Sequence, residues 1–446
     1  MGKHHEPEVM SNRAAPGVLW TVGEGEPASN PPLPHSPGRL PPANTEMEPF
    51  SCRGRKIFTF VAAAAFALSG VQAQEALVHL KGNISPLVAR AMQMDHLDAG
   101  TRIRFAIALP VRNEEQLDAL IKHLYTPGDP LYHQYLRKGE FADRFGPTPD
   151  DYNAVIAFAQ MHGLEVVGTH PNRVLLDVAG PAEKVEQAFG VRLMHYRAGD
   201  GRVFHAPDVE PFLPASVSRL VSGIIGLDDA VQLHPNFVPA AKMPGSTPAQ
   251  IGSGPNQGLS PSDIKTAYNL NGVTETGSGQ TIALAQFDGY TASDITAYED
   301  YFNIPHVPLT NVLLDGFSGN PSLPTQQNPS PGSTEVTLDI ELAINLATKV
   351  SKIVVYEAPN NVAYAADVYN QIANDDTAQQ GSTFWGAYEG HYPASVLNSE
   401  NTAFKNMAAQ GQSFFAASGD DGDGAWNGKD ANGKDIIVYG VQECAS

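Results

Sequence analysis

Glu335-Val336-Thr337-Leu338-Asp339-Ile340-Glu341-Leu342-Ala343-Ile344, followed after a short break by Ile353-Val354-Val355-Tyr356, decides the fold class of this chain. The first run has apolar residues at helical spacing, and the second is a compact β-branched run bounded by polar residues. A helix leading directly into an apolar strand is the repeating unit of a parallel sheet covered on both faces. The helix also carries an oddity. Glu335 and Asp339 stand four residues apart, so they share one face of an otherwise apolar segment. Like charges stacked beside an apolar body repel, and burial raises the penalty. Such a pair is either retained for chemistry or sits in a solvated first turn, where acids complement the helix dipole.

The same alternation continues on both sides. Residues 281–287, 382–386 and 413–418 read as further apolar strands, and 291–302, 361–374 and 395–410 as helices. Sites in such sheets cluster beyond the carboxyl ends of the strands. Residues 77–229 follow a different rhythm: strand-like 101–109, helical 113–124 and 148–162, strand-like 174–178, helical 182–189 and strand-like 191–196. That order implies a small α+β unit with an antiparallel sheet. Between them, residues 231–258 are punctuated by Pro235, Pro239, Pro244, Gly245, Pro248, Gly252, Gly254 and Pro255, the chemistry of a linker open to proteolysis.

The formal charge of −20 over 446 residues excludes a nucleic-acid partner, which would need clustered Lys and Arg. Charge is uneven. Residues 259–446 hold six lysines and no arginine against 22 acids, whereas 77–230 are nearly balanced. Eight histidines fall in the balanced region, among them His170, His195 and His205.

Near the start, Arg53-Gly54-Arg55-Lys56 precedes an apolar run over residues 57–68 and small residues at Val71 and Ala73. This is the pattern of a secretory signal peptide over 47–73, cleaved after Ala73, and the run is too short to span a bilayer. Residues 1–46, rich in Pro, Gly and Asn, read as a disordered extension or as sequence upstream of the true start at Met47. Cys52 leaves with the signal peptide, so Cys444 is either a free thiol or a residue whose partner is missing.

Several motifs carry a resemblance. Leu124-Tyr125-Thr126-Pro127-Gly128-Asp129-Pro130-Leu131-Tyr132-His133-Gln134-Tyr135-Leu136 and Phe141-Ala142-Asp143-Arg144-Phe145-Gly146-Pro147 resemble the activation prodomain of the sedolisin (serine-carboxyl) peptidases. Gly258-Leu259-Ser260-Pro261 resembles the mature start of that family, Glu335 to Asp339 its catalytic helix, Ser382 to Gly386 its substrate-lining strand, and Ser418-Gly419-Asp420 its oxyanion loop. The resemblance implies a subtilisin-like parallel sheet, incomplete here, preceded by the antiparallel α+β prodomain.

It further implies Glu335 as general base, Asp339 as its orienter and Asp420 as the oxyanion donor. Ser382, Trp385 and Gly386 would line the substrate, and a calcium ion would be held by ligands beyond Ser446. Asp421 and Asp423 lack the full spacing of a calcium loop and read as a solvated turn. His306, flanked by Pro305 and Pro308, reads as a loop residue.

The family's nucleophile lies in a Ser-Gly-Thr-Ser motif, and no Gly-Thr-Ser occurs here. Two readings follow. One is a C-terminally truncated, secreted, acid-acting endopeptidase zymogen whose prodomain inhibits it intramolecularly until acid loosens the pairing. The other is a non-catalytic secreted inhibitor or binding module.

Overall fold

The computed structural model describes residues 75–235, 252–255, 258–325 and 331–419, and the backbone of the strands Gly424–Lys429 and Asp435–Tyr439. All of them lie in one compact unit, Gln72–Ser446. The signal-like segment, most of the linker, Asp420 to Asp423 and Cys444 lie outside the described residues. Among the described residues no helix is long and apolar enough to cross a membrane.

The amino-terminal region is built on a four-stranded antiparallel sheet in the order Glu165–Thr169, Leu175–Pro181, Arg102–Ala108, Gly223–Ile225. A separate three-stranded antiparallel sheet (Met92–His96, Leu193–Arg197, Val203–Pro207) and a short antiparallel pair (Leu77–His79 with Phe212–Pro214) accompany it. Ile103, Phe105 and Ile107 alternate on one face of their strand. They pack with Leu176, Val178, Val155, Phe158, Val185 and Phe189. The helix Pro149–Met161 starts where Thr148 accepts the Asp151 N–H at 3.1 Å, with proline at its first position. The helix Ala182–Phe189 stops at Gly190, which turns left-handed at φ 64°. The predicted antiparallel α+β region is thus observed, with several short strands that periodicity did not reveal.

The carboxyl-terminal region is a five-stranded parallel sheet in the order Leu309–Leu313, Lys352–Glu357, Thr281–Gln286, Gln380–Thr383, Ser413–Ala416. Ile353 to Tyr356 are all buried, as a strand covered on both faces requires. Thr281–Gln286 comes first in this part of the chain yet sits in the middle. The chain next forms the edge strand Leu309–Leu313, returns to place Lys352–Glu357 beside the centre, and crosses to the other side through the helix Val362–Asp375. Sheets of this kind place their sites beyond the carboxyl end of the strand at such a reversal, and here that end is Gln286. The catalytic-helix candidate runs Gly332–Leu346, one turn earlier than apolar periodicity suggested.

The two regions share a core. Leu117, Leu124, Phe141 and Phe145 of the first belong to one buried cluster with Leu284, Val355, Tyr369 and Met407 of the second.

Candidate active site

The helix Gly332–Leu346 enters against the central strand at very short range. A β-carbon on Gly332 would lie 2.6 Å from Trp385 Cη2 and 2.7 Å from Asp288 Oδ2, so glycine is what lets the first turn approach. Gly332→Ala is therefore expected to shift the helix and lower stability by about 1–3 kcal/mol, the range for overpacking against rigid groups. A urea midpoint indistinguishable from the parent's would contradict this close approach.

One turn further along, Glu335 is fully buried and Asp339 is 3 % exposed. The solvated-turn alternative is thereby overturned: burial, not a wet helix start, is the environment of both acids. Their carboxyls hydrogen-bond each other, which two carboxyl groups do only by sharing a proton. Gln286 Nε2 donates to Asp339 Oδ2 at 2.6 Å, and Trp385 Nε1 donates to Gln286 Oε1 at 2.8 Å. An indole N–H is donor only, so Trp385 fixes which end of the Gln286 amide faces Asp339. The result is a directed relay: Trp385 to Gln286 to Asp339 to Glu335. Burial pushes the Asp339 carboxyl up to about 7, while the bonds from Gln286 and Glu335 oppose that rise.

More acid surrounds the pair. Glu357 ends the neighbouring strand in register with Gln286, is fully buried, and is pushed up to about 8 by burial and by the nearby Asp288 charge. Asp288 is occupied otherwise: its Oδ1 accepts the N–H groups of Gly289 at 2.7 Å and Ser322 at 2.9 Å.

Of the substrate-lining candidates, Ser382 is half-buried within Gln380–Thr383 and opposes Leu284 and Phe415. Trp385 and Gly386 are buried and form a short strand of their own. That strand is covered. His234 and Pro235 lie antiparallel to it, His234 opposite Gly386 and Pro235 opposite Trp385. Asp420 lies outside the described residues, so Glu335, Asp339, Trp385 and Gly386 are the site candidates that the fold brings together. His306 is an exposed loop residue 2.9 Å from Asp300, as expected.

Sequence reading missed Gln286 and the His234–Pro235 strand. A polar residue closing the apolar run Ile282 to Ala285 was the available signal for Gln286. Nothing local signals that His234 pairs with a strand some 150 residues away; the pairing exists only in three dimensions.

Residues 89–230 match the family described as Pro-kumamolisin, activation domain. Kumamolisin of Bacillus sp. (strain MN-32) is 28% identical over 347 residues, 77% of this chain and 61% of that protein. Sedolisin of Pseudomonas sp. (strain 101) is 25% identical over 369 residues, 80% of this chain and 61% of that protein. Tripeptidyl-peptidase 1 of Canis lupus familiaris is 23% identical, covering 75% of this chain and 59% of its own length. A solved structure of Pseudomonas sedolisin, a serine-carboxyl proteinase complexed with pseudo-iodotyrostatin, covers 41% of this chain and 62% of its own at 19% identity and TM-score 0.33. The chain thus spans about 61% of the length of the first two of these relatives. The chain is thus similar to kumamolisin and sedolisin over three quarters of its length, and its antiparallel amino-terminal region matches a pro-kumamolisin activation domain.

Proposed function

We propose that the chain is the amino-terminal part of a secreted, acid-acting serine-carboxyl endopeptidase zymogen. In this reading residues 1–46 are an extension, 47–73 the signal peptide, 77–230 the activation prodomain, 231–258 the processing linker and 259–446 part of the peptidase domain. The observation that carries the proposal is the buried, proton-sharing Glu335–Asp339 pair at the carboxyl end of the central strand, fixed by Gln286 and Trp385. A solvent-facing pair would be ordinary; a buried one held by a two-residue relay is expensive to maintain without use.

Glu335 acts as base toward a serine hydroxyl supplied by coding sequence beyond Ser446, and Asp339 holds the proton they share. The pair titrates as a unit, and the singly ionised form is the one able to accept a proton. Asp420 donates to the developing oxyanion and must be protonated for that. The backbone of Trp385–Gly386 takes the peptide substrate as an added strand, the mode His234–Pro235 uses intramolecularly. Prodomain inhibition then has a physical basis: the start of the linker occupies the edge that substrate needs.

Among the described residues the one His/Asp grouping close enough to share an ion contains an imidazole and offers too few oxygens for a calcium cage.

Acidification should favour processing. Lys405 of the peptidase region bonds Glu114 at 2.9 Å and Asp118 at 2.7 Å of the prodomain, so ion pairs help to hold the two together. The zymogen, expressed from its genomic locus, is expected to process itself in mild acid and to lose peptidase activity as pH rises through about 7, where Asp339 ionises. Equally fast processing at neutral pH would overturn this. The competing reading, a non-catalytic binding module, is favoured if the genomic frame closes without an in-frame Ser-Gly-Thr-Ser.

A further inference from the structure

The most crowded set of ionisable groups outside the acid pair lies where the activation domain meets the peptidase region. His170, Asp177 and Arg104 come from the first; Asp315 and Asp367 from the second. His170 Nε2 stands 3.1 Å from Asp177 Oδ2 and 3.4 Å from Asp367 Oδ1. The carboxyls of Asp177 and Asp315 both adjoin Asp367. Arg104 Nε donates to Asp315 Oδ1 at 3.0 Å. His170, Asp177 and Asp367 are each more than nine-tenths buried, and so is the Asp315 side chain.

Three features of this knot point to a ligand. Among the described residues, His170 Nδ1, Asp177 Oδ1, Asp315 Oδ2 and Asp367 Oδ1 all lack a hydrogen-bond partner. Four such atoms in one buried place are costly unless something satisfies the oxygens. Three carboxyl groups also converge on one guanidinium and one imidazole, an acid-rich set of the kind that holds a cation. The third feature is the cradle. Gly168 sits across the strand pair from Asp177 at an irregularity in the ladder, and a β-carbon there would overlap Asp177 Oδ2. The sheet is cut away for that carboxylate.

His170 Nε2 and Asp177 Oδ2 are within hydrogen-bond distance, and the spacing of the set also suits one class of ion. Two ligands on a tetrahedral ion with bonds of about 2.0–2.2 Å stand about 3.3–3.6 Å apart. The imidazole-to-carboxylate separations of 3.1 and 3.4 Å approach that range, and the ligand atoms of all three residues lie within 4.8 Å of one another. One imidazole with carboxylates suits zinc rather than magnesium or calcium, which prefer oxygen alone.

We propose that His170, Asp177 and Asp367 form a zinc-class divalent site clamping the activation domain to the helix Val362–Asp375, with Asp315 as the adjoining carboxylate held by Arg104. Two ligands belong to one side of the joint and one to the other, so the ion is held only while the two are together. Zinc retention then opposes departure of the activation domain. This concerns the joint and holds whether or not the chain cleaves peptides.

The test uses the full chain, stripped with chelator and dialysed, then titrated with zinc by calorimetry, with bound metal counted by mass spectrometry. One zinc per chain is expected, together with a thermal midpoint that rises with zinc. Asp367→Asn and His170→Gln should each weaken binding at least about 10-fold and abolish the zinc-dependent rise, with the far-ultraviolet dichroism of the parent. Cobalt(II) added to the unmodified chain should give the intense visible absorption of a tetrahedral site, a readout that needs no variant to fold. A stripped parent chain that takes up no zinc and gives no such cobalt spectrum overturns the proposal. Equal zinc binding by parent and both variants also overturns it, and so does a knot held by protons alone, in which Asp367→Asn stabilises the chain and zinc does nothing.

Discussion

Glu335→Gln, in the protein expressed from its locus, is expected to lower peptide turnover by about 10²–10⁴-fold, the range attributable to a lost general base. The substitution keeps side-chain volume in a position with no solvent exposure, so neither a cavity nor a clash explains a loss. A glutamine amide can still donate to Asp339, so the helix should stay seated against Gln286 and Trp385. What disappears is the ability to take a proton from a hydroxyl. The loss should therefore fall on kcat with KM nearly unchanged, the pattern of an interaction made only in the transition state. Self-processing should slow in parallel if it uses the same centre. Turnover within a few-fold of the parent, in protein whose dichroism and urea midpoint are intact, would remove Glu335 from the chemistry.

How much of this was visible in the chain alone depends on the range of the interaction. Helices with strong local signals emerged within a residue or two: Ala182–Phe189 as expected, and Pro149–Met161 against the expected 148–162. The five parallel strands follow from short apolar runs, apart from Leu309–Leu313, whose residues are largely exposed and mixed in polarity. Three-residue strands such as Gly223–Ile225 carry no period to detect.

The acid pair was legible as a spacing, but its burial was not. Burial depends on Trp385 and Gln286 arriving from two other strands. The same limit applies to the knot at the joint. His170 and Asp177 are close in sequence, yet Asp367 lies nearly 200 residues on, and no local pattern relates them. Gln286 shows the converse. Its position at the end of an apolar run hinted at a role, but only the bond to Asp339 says what that role is.

Asp339→Asn is expected to make the folded chain more stable near neutrality. The free Asp carboxyl titrates near 3.9 in an unfolded chain and at about 7 here, because burial disfavours its charge. Folding therefore takes up a proton between those values. Stability is fully present below about 4, falls as pH rises toward 7, and is flat above it, where both states are ionised. A shift of about three units corresponds to about 4 kcal/mol over that window, an upper figure since the proton is shared with Glu335.

Asparagine has no proton to lose, can donate to Glu335 and can accept from Gln286, so the relay is kept without the ionisation. Urea midpoints at pH 4 and pH 7 should then converge in the variant, with the gain appearing at pH 7 alone. An unchanged slope would mean that Asp339 is already ionised in the folded chain, and that its burial is offset by partners stronger than Gln286. If the slope flattens, the strain at neutral pH is tied to the acid pair itself.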